Sequence, residues 1–376
     1  MMEYRIAGAK DLDGIIDFAN MVFSMLRVPH NFEQILPKVY AAPHLKADIH
    51  VIAEEEGRLC GCLGMLVFPL RVAGETLQVG YLGTMSVHPR VRGRGTMGTL
   101  MQKQMARARE MGLDMVVLGG QRQRYGNHGF ETCGATFGYS ISAANVRHAM
   151  TAADHTGLKF VPMAQEDVPF ALALYDGQAV AGARTPENFL DAVRSYGEKP
   201  YILLRGEQKI GYVVTSKDGQ RISELVMASE EDILPAIKGY MQQMGVGNLR
   251  VDAMPHDTAL NGRLASLCEG FTISANCMLH MLKPDKVIAA YMKLKAGMQP
   301  LADGELVLSC GEAGTVKIAG SGGEISTEMT QEAAQPLTGA QAAMLLFGYN
   351  RFAAPKVSAP LGWFPLPFAI AEPDSF

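Results

Sequence analysis

The chain has 376 residues, a net charge of −4 at pH 7, 48% hydrophobic residues and 19% charged residues. This composition is ordinary for a globular protein, and the length allows two or three domains. The negative charge argues against a general nucleic-acid binder, which needs a positive surface to neutralise phosphates. The N-terminus lacks the pattern of a signal peptide, and no apolar run reaches transmembrane length. We therefore predict a cytoplasmic protein with no membrane or nucleic-acid partner.

The six cysteines do not suggest a metal site. They stand at positions 60, 62, 133, 268, 277 and 310, with no Cys-x-x-Cys pair and no histidine in register. Buried, reduced thiols are the simpler interpretation. We predict that the protein needs no metal.

The first third of the chain alternates between strand and helix patterns. We predict a strand over residues 3–8, a helix that begins at Leu12, and a hairpin of strands 50–55 and 59–72 joined at Glu56-Gly57. A further strand follows from Tyr81 and leads to a glycine-rich loop. The order predicted for this part is β-α-β-β-β-α-β.

The glycine-rich loop lies between the strand Tyr81 to Val87 and an amphipathic helix that begins after Gly95. Its sequence, from position 90, is Arg-Val-Arg-Gly-Arg-Gly-Thr. Free amides, the helix dipole and three arginines suit this loop to a pyrophosphate. A dinucleotide fingerprint (GxGxxG from Gly93) is a weak alternative, because the loop does not follow the first strand of the chain. A P-loop is excluded by the absence of Gly-Lys-Ser/Thr, and a simple glycine-rich connector stays open.

The segment Val87-His88-Pro89 followed by Arg90-Val91-Arg92-Gly93-Arg94-Gly95 resembles the signature of the GCN5-related N-acetyltransferase (GNAT) superfamily. The resemblance implies that the loop amides bind the pyrophosphate of acetyl-CoA and that the preceding strand binds its pantetheine arm. Met85, Ser86 and Val87 would face the arm, and residues 92–96 the phosphates. The predicted acetyl-CoA residues are Met85, Ser86, Val87, Arg90, Arg92, Gly93, Arg94, Gly95, Thr96, Met97, Gly120 and Gln121.

A second landmark follows the predicted strand Met115 to Leu118. The spacing from Tyr125 through Gly129 to Phe130 is Tyr-x-x-x-Gly-Phe, which by resemblance to the GNAT superfamily places the tyrosine hydroxyl near the thioester sulfur. A phenol with a pKa near ~10 stays protonated at neutral pH and can protonate a leaving thiolate. We predict Tyr125 as the general acid; the alternative is that its ring only packs under the Gly129 turn.

The rest of the chain predicts two more domains. Residues 156–282 repeat the first pattern weakly, but the loop Ala228-Ser229-Glu230-Glu231-Asp232 has no glycine and three acids, which would repel a pyrophosphate. We interpret it as a degenerate GNAT-like domain. Residues 283–376, with a helix from Val287 to Ala296 closed by Gly297, then three strands and a helix capped by Thr338, resemble a sterol carrier protein type 2 domain.

This layout, with residues 1–147 as the catalytic domain, resembles the Eis (enhanced intracellular survival) family of acetyltransferases. The predicted fold class is α/β (α+β), with two GNAT-type mixed-sheet domains and a sterol-carrier-like domain. The resemblance implies that the carboxylate of the terminal Phe376 is the general base, that the acceptor is an aminoglycoside, polyamine or lysine-like amine, and that the protein is a homo-hexamer. A frayed C-terminus is the alternative for the last residues.

Two functions fit these sequence features. The first is direct transfer of acetyl from acetyl-CoA to a primary amine in a ternary complex. The alternative is a carrier of lipid or another apolar ligand, with the GNAT part as a CoA-sensing scaffold. The intact loop and Tyr125 favour the enzyme, since a scaffold needs neither.

Overall fold

The structure is a computed structural model and describes residues 1–25, 28–150, 155–350 and 352–376. Its contacts divide the chain into two compact units. Unit 1 contains Met1–Cys133, Cys277–Leu366 and Ser375–Phe376. Unit 2 contains Gly134–Asn276 and Pro367–Asp374. The chain therefore passes from unit 1 to unit 2 and back twice, and its last two residues belong to unit 1.

These limits differ from the three domains predicted from the sequence. The predicted third domain, residues 283–376, lies largely in unit 1 with the first. The strand at 136–142 belongs to unit 2 although it lies inside the predicted first domain. The predicted boundary between residues 147 and 156 includes residues 151–154, which are outside the described part of the chain. The three-domain division itself stays a prediction.

The strands are numbered in chain order. They are Met2–Ile6 (β1), His50–Glu55 (β2), Arg58–Val72 (β3), Glu75–Val87 (β4), Met115–Leu118 (β5), Glu131–Cys133 (β6), Thr136–Ser142 (β7), Leu158–Pro162 (β8), Val180–Ala181 (β9), Lys199–Arg205 (β10), Gln208–Thr215 (β11), Arg221–Met227 (β12), Asn248–Ala253 (β13), Phe271–Ser274 (β14), Cys277–Met281 (β15), Gly304–Ser309 (β16), Thr315–Ser321 (β17) and Glu324–Thr330 (β18).

The α-helices follow the same numbering. They are Leu12–Ser24 (α1), Phe32–Ile35 (α2), Pro37–Tyr40 (α3), Thr96–Glu110 (α4), Arg122–Tyr125 (α5), Ala143–Ala149 (α6), Val168–Asp176 (α7), Phe189–Val193 (α8), Ile233–Met244 (α9), Thr258–Leu267 (α10), Pro284–Met298 (α11) and Gly339–Phe347 (α12). None of the helices in the described residues is long and apolar enough to cross a membrane.

The main sheet of unit 1 has the strand order β1-β2-β3-β4-β5-β15-β6. β4 is longer than predicted, because it begins at Glu75 and forms a hairpin with β3. The turn of this hairpin places Ala73 at φ 49° and Gly74 at φ 85°, the left-handed pair that matches the twist of a two-residue hairpin. β4 and β5 run parallel and pair only from Val79 to Leu82 on β4. Beyond that point the two strands separate.

The helix α4 connects β4 to β5 and packs on the sheet through a buried face that includes Leu100, Met101 and Met105. Gln104 lies on the same face and is fully buried. Its Nε2 donates to the carbonyl oxygens of Ile49 (2.9 Å) and Leu63 (2.8 Å). These two bonds fix the height of α4 over β3 and so fix the start of the helix relative to β4.

The C-terminal part of unit 1 adds the strands β15 to β18 and two helices. β15 pairs with β5 and β6, and β16, β17 and β18 form a separate antiparallel sheet. The prediction that Gly297 closes α11 is wrong. The helix includes Gly297 and Met298 and ends before Gln299, whose backbone is extended, as the residue before Pro300 prefers. Thr338 caps α12 as predicted, through a reciprocal capping box with Gln341.

Unit 2 contains a second mixed sheet, in the order β14-β7-β13-β12-β11-β10-β8. β12 and β13 are parallel and α9 connects them, just as α4 connects β4 to β5 in unit 1. The loop before α9 carries the predicted acids, and Asp232 forms an ion pair with Arg205 at 2.6 Å. Unit 2 thus has the topology of a second copy without a glycine loop.

We predict that Gln104→Leu lowers the free energy of unfolding by about 1–3 kcal/mol, because two buried carbonyls lose their donor. The measurement is urea unfolding followed by circular dichroism. Gln102→Leu is the matched control, since Gln102 lies on the same helix and is exposed. Equal midpoints for the two variants would contradict this role of Gln104.

Candidate active site

The glycine loop leads into α4 through two glycines in an unusual backbone conformation. Gly93 and Gly95 both have φ of 78°, a left-handed conformation that favours glycine. Gly95 is the N-cap of α4, and the first bond of the helical pattern runs from the amide of Thr99 to the oxygen of Gly95 at 3.1 Å. The amides of residues 96–98 precede that bond and have no partner within the helix. A Cβ on Gly93 or Gly95 would meet nothing within 4 Å, so the backbone faces open space.

A cavity of about 350 Å³ lies in front of this loop in unit 1. Its lining combines the end of β4, the loop and the first turn of α4. The lining residues are Val22, Met85, Val87, Val91, Arg92, Gly93, Gly95, Thr96, Met97 and Arg124. All but Val22, Val91 and Arg124 are residues that we predicted to bind acetyl-CoA.

Two of the three loop arginines, Arg90 and Arg94, contact other side chains and do not line the cavity. Arg94 forms a bidentate pair with Glu55, at 2.9 and 2.6 Å. The Nε of Arg90 contacts Nδ1 of His88 at 3.4 Å. Neither lines the cavity, whereas Arg92 does, together with Arg124 from α5. Of the three arginines that the sequence offered for a pyrophosphate, only Arg92 lines the cavity, and Arg124, which was not among the predicted residues, lines it too.

The end of β4 offers its backbone to the cavity. Residues 83–87 extend past the last pair with β5, and Gly83, Ser86 and Val87 still pair with β3 on the other side. Met85 and Val87 line the cavity, but Ser86 is fully buried and its hydroxyl donates to the oxygen of Thr84 at 3.1 Å. Because alternate side chains of a strand point to opposite faces, Ser86 can contribute only its backbone. A backbone contact is what the resemblance implies for this strand, so the role of Ser86 stays a prediction.

Tyr125 is 8% exposed and belongs to the same apolar cluster as Met85, Val87 and Met97. Its ring lies directly on the backbone of Gly120, where a Cβ would overlap it. Gly120 therefore makes room for the ring, and the oxygen of Gln121 accepts the Tyr125 amide at 3.2 Å. Burial raises the pKa of Tyr125 above its ordinary value, although Arg124 opposes the shift. The phenol is thus protonated at neutral pH.

The terminal residue lies on the main sheet of unit 1. Gly64 on β3 and Gly83 on β4 are direct cross-strand partners. A Cβ on Gly64 would lie 2.6 Å from Cζ of Phe376, and one on Gly83 would lie 2.9 Å from its carboxylate carbon. Phe376 is 8% exposed. Gly64 and Gly83 therefore leave room for the last residue, and we call this pair the glycine seat. The C-terminus packs on the sheet and is not frayed, which was the alternative interpretation.

A chain of buried hydrogen bonds lies beside this seat. The hydroxyl of Tyr40 is 2.8 Å from Nε2 of His50 and 2.8 Å from Oγ1 of Thr84. The ring of Tyr40 packs near the ring of Phe376, with centroids 6.1 Å apart. Burial lowers the pKa of His50 to about 4, so the imidazole is neutral at neutral pH. Thr84 has φ of 50°, an unusual conformation for a β-branched residue, and lies where the β3–β4 register shifts.

Sequence reasoning missed the groups around Phe376. Glycines inside predicted strands are a signal for the close approach of another group, and Gly64 and Gly83 both carry it. Their pairing is visible only once the β3–β4 register is known. Nothing in the sequence indicates the left-handed conformation of Thr84.

Comparison with known proteins places this site in a family. Residues 3–133 match the acetyltransferase (GNAT) domain family. No curated protein matches the sequence significantly. The matched range, residues 3–133, includes the glycine loop, α4 and Tyr125, so the match covers the whole candidate cofactor cavity.

Solved structures match over most of the chain at low sequence identity. Eis1 from Mycobacterium abscessus matches with a TM-score of 0.69 and 17% identity, covering 100% of both chains. A GCN5-related N-acetyltransferase from Anabaena variabilis ATCC 29413 has a TM-score of 0.66 and 16% identity, covering 91% of this chain and 89% of its own. One from Kribbella flavida has a TM-score of 0.64 and 16% identity, covering 91% and 90%.

At these identities the structural matches establish the fold, and they confirm the predicted α/β class with mixed sheets of the GNAT type. They do not identify the predicted sterol-carrier-like part. The sequence match establishes the first domain. Residues 3–133 form a GNAT acetyltransferase domain, and the protein is an acyltransferase.

Proposed function

We propose that the protein transfers an acetyl group from acetyl-CoA to a primary amine. The observation that carries this proposal is the cavity at the start of α4, where the free amides of the glycine loop meet the open edge of β4. Helix N-termini with glycines bind pyrophosphate, and an open strand edge can pair with an amide-containing arm. The guanidinium of Arg92 adds the charge that a pyrophosphate requires.

Acetyl-CoA supplies the acetyl group as a thioester. The residues at the end of β4 orient this group through their backbone, so that the amine can attack the carbonyl carbon and the carbon–sulfur bond can break. Tyr125 donates its phenolic proton to the departing thiolate. The Phe376 carboxylate accepts a proton from the attacking nitrogen, and the neutral amide and the free thiol are the products.

The seat of Phe376 supports this assignment of the base. The ring is fixed on two glycines, and a buried aromatic anchor holds its carboxylate at little conformational cost. The carboxylate carbon lies over Gly83, beside the open part of β4. An acceptor amine that approaches the thioester along this edge would therefore meet the carboxylate.

Four further properties are proposed from the sequence and its resemblance to the Eis family. They are the acceptor class (aminoglycosides, polyamines or lysine-like amines), the hexameric assembly, the cytoplasmic location and the sterol-carrier-like character of the last predicted domain. The carrier function considered above is not favoured, because residues 3–133 match an acetyltransferase domain. Apolar ligand that co-purifies in stoichiometric amount, without acetyl-CoA binding, would revive it.

The direct test is release of free thiol from acetyl-CoA against a panel of amines, with mass spectrometry of the acetylated product. The proposal expects release that depends on a primary amine and yields the N-acetyl amide. Tight binding of acetyl-CoA with no release on any amine would contradict the transfer reaction while leaving the cofactor site intact.

We predict that Gly93→Asp weakens acetyl-CoA binding at least about 100-fold, because it adds a negative charge and a side chain where the pyrophosphate is proposed to lie. Isothermal titration calorimetry measures this affinity. Gly245→Asp is the matched control, since Gly245 has φ of 69° and an equally open surrounding but lies in unit 2 at the end of α9. Near-native affinity in Gly93→Asp would refute the assignment of the loop.

We predict that deletion of Phe376 reduces turnover about 100-fold or more, the range of a general base, and leaves the affinity for acetyl-CoA largely unchanged. Steady-state thiol release and calorimetry measure the two quantities. Phe376→Leu is the control variant, since it keeps a terminal carboxylate on an apolar side chain, and it should retain more activity than the deletion. Unchanged turnover after the deletion would remove the terminal residue from the mechanism.

We predict that Tyr125→Phe lowers turnover about 100-fold or more and changes the pH profile. Because burial raises the Tyr125 pKa, the phenol is fully protonated below that pKa and its contribution is lost as the pH rises through it. The native enzyme should thus lose activity on the alkaline side, above pH ~10, and the variant should lack this decline. An identical alkaline limb in both proteins would show that another group donates the proton.

A further inference from the structure

Unit 2 contains a buried ion cluster that the proposed reaction does not use. The Arg184 side chain is 1% exposed. Its guanidinium binds Glu224 at 2.8 and 2.7 Å, and it binds Asp374 through Nε at 2.7 Å and Nη2 at 3.3 Å. The side chains of Glu224 and Asp374 are 10% and 9% exposed. One arginine thus joins β12 to a residue two positions before the C-terminus.

Aromatic residues complete the cluster. The ring of Tyr175 lies 3.8 Å from the guanidinium carbon of Arg184, and its hydroxyl donates to Asp374 at 2.6 Å. The hydroxyl of Tyr212 donates to Glu224 at 2.7 Å. Burial raises the pKa of Tyr175 far above its ordinary value, so this hydroxyl remains a donor. Both carboxylates therefore have two kinds of donor, and their positions are strongly determined.

The C-terminal segment, residues 367–374, forms further bonds in unit 2 before Asp374. The oxygen of Phe368 accepts the amide of Ala135 at 3.2 Å. The amide of Ile370 donates to Asn276 at 2.8 Å, and Glu372 pairs with Arg221 at 2.7 Å. Asp374 is the last of these attachments along the chain. After it only Ser375 separates the cluster from Phe376.

A tail that only covered a core would not need this cluster, because apolar side chains of similar volume fill a core with no desolvation cost. In some proteins a buried ionic group instead selects one register of a segment where several would fit. If the Arg184 cluster does so for residues 367–374, the chain length from Asp374 sets where the last residue can reach.

We propose that the Arg184 cluster is a positioning device for the general base. By holding Asp374, it places the Phe376 ring in its glycine seat and the terminal carboxylate at the acceptor side of the site. Arg184 and Asp374 are positioning residues and contact no reacting atom. The degenerate second copy of the fold thereby has a role in the reaction of the first. The catalytic part of this inference rests on the proposed function; the anchoring part does not.

The test uses Asp374→Ala in the full-length protein. This variant leaves Arg184 paired with Glu224, so no buried charge loses all its partners. Asp374→Asn is the conservative companion, since it keeps the shape and an acceptor oxygen, and it carries the test if Asp374→Ala does not fold. Asp232→Ala is the matched control, because the Asp232 carboxylate is similarly buried, at 11% exposure, and pairs at 2.6 Å with the half-exposed Arg205 in the same unit.

Two readouts separate anchoring from catalysis. The first is the rate at which carboxypeptidase A removes the terminal phenylalanine, followed by mass spectrometry. Asp374→Ala should accelerate removal about tenfold or more, because cleavage tracks the population of the released tail. The second is kinetics, in which kcat should fall about 100-fold, the cost of about 1 Å of misplacement, with an unchanged Kd for acetyl-CoA. Asp374→Asn should lie between this variant and the native protein, and Asp232→Ala should match the native protein in both readouts.

Native resistance to carboxypeptidase and native kcat in both Asp374 variants would overturn the proposal. Faster removal with native kcat would overturn its catalytic part, since the released tail would not matter to turnover. If the native protein transfers acetyl to no amine, the proposed function fails, and the carboxypeptidase rates still decide whether Asp374 anchors the terminus.

Discussion

The proposed cofactor site depends on the separation of β4 from β5. These parallel strands pair over only four residues of β4, from Val79 to Leu82, and the remaining part of β4 keeps a free edge in the described pairing. The helix that connects the two strands begins beside that edge, at Gly95. A strand edge that can bind an amide-containing arm and a helix terminus that can bind a pyrophosphate therefore belong to one cavity. The buried bonds of Gln104 to the backbone near β2 and β3 hold the helix in that position.

The end of the chain packs on the same strand, at Gly83. Gly64 and Gly83 leave room for the ring of Phe376, and the Tyr40, His50 and Thr84 side chains form a hydrogen-bonded group next to it. Since the His50 pKa is lowered by burial to about 4, this group carries no positive charge at neutral pH. The polar groups beside the ring of the terminal residue are thus uncharged at neutral pH. In the proposed mechanism the acid, Tyr125, and the base, Phe376, both belong to unit 1. The preceding residues, 367–374, belong to unit 2.

The sequence predicted the parts of the site that depend on local structure. The glycine loop after β4, the start of α4 after Gly95 and the turn that follows Tyr125 are all set by neighbours along the chain. It could not predict features that depend on distant partners. Glu55, almost forty residues from Arg94, removes that arginine from the cavity, and the burial of Ser86 follows from the face that β4 turns to the core. The seat of Phe376 needs the β3–β4 register, and the Arg184 cluster joins residues that are 190 positions apart. For the same reason the sequence did not show that β7 belongs to unit 2 and β15 to unit 1. The predicted domains were consecutive, and they placed β7 in the first and β15 in the second.

A crystal structure of the full-length protein with CoA bound would decide whether this cavity is the cofactor site. We expect the pyrophosphate at the amides of residues 93–98, the pantetheine arm along residues 83–87, and the sulfur within hydrogen-bonding distance of the Tyr125 hydroxyl. We also expect Phe376 on its glycine seat, with the carboxylate facing the sulfur from the acceptor side. CoA bound elsewhere, for example in the larger cavity of about 960 Å³ lined by Met105, His280 and Leu337, would contradict the proposed cofactor site and the mechanism built on it.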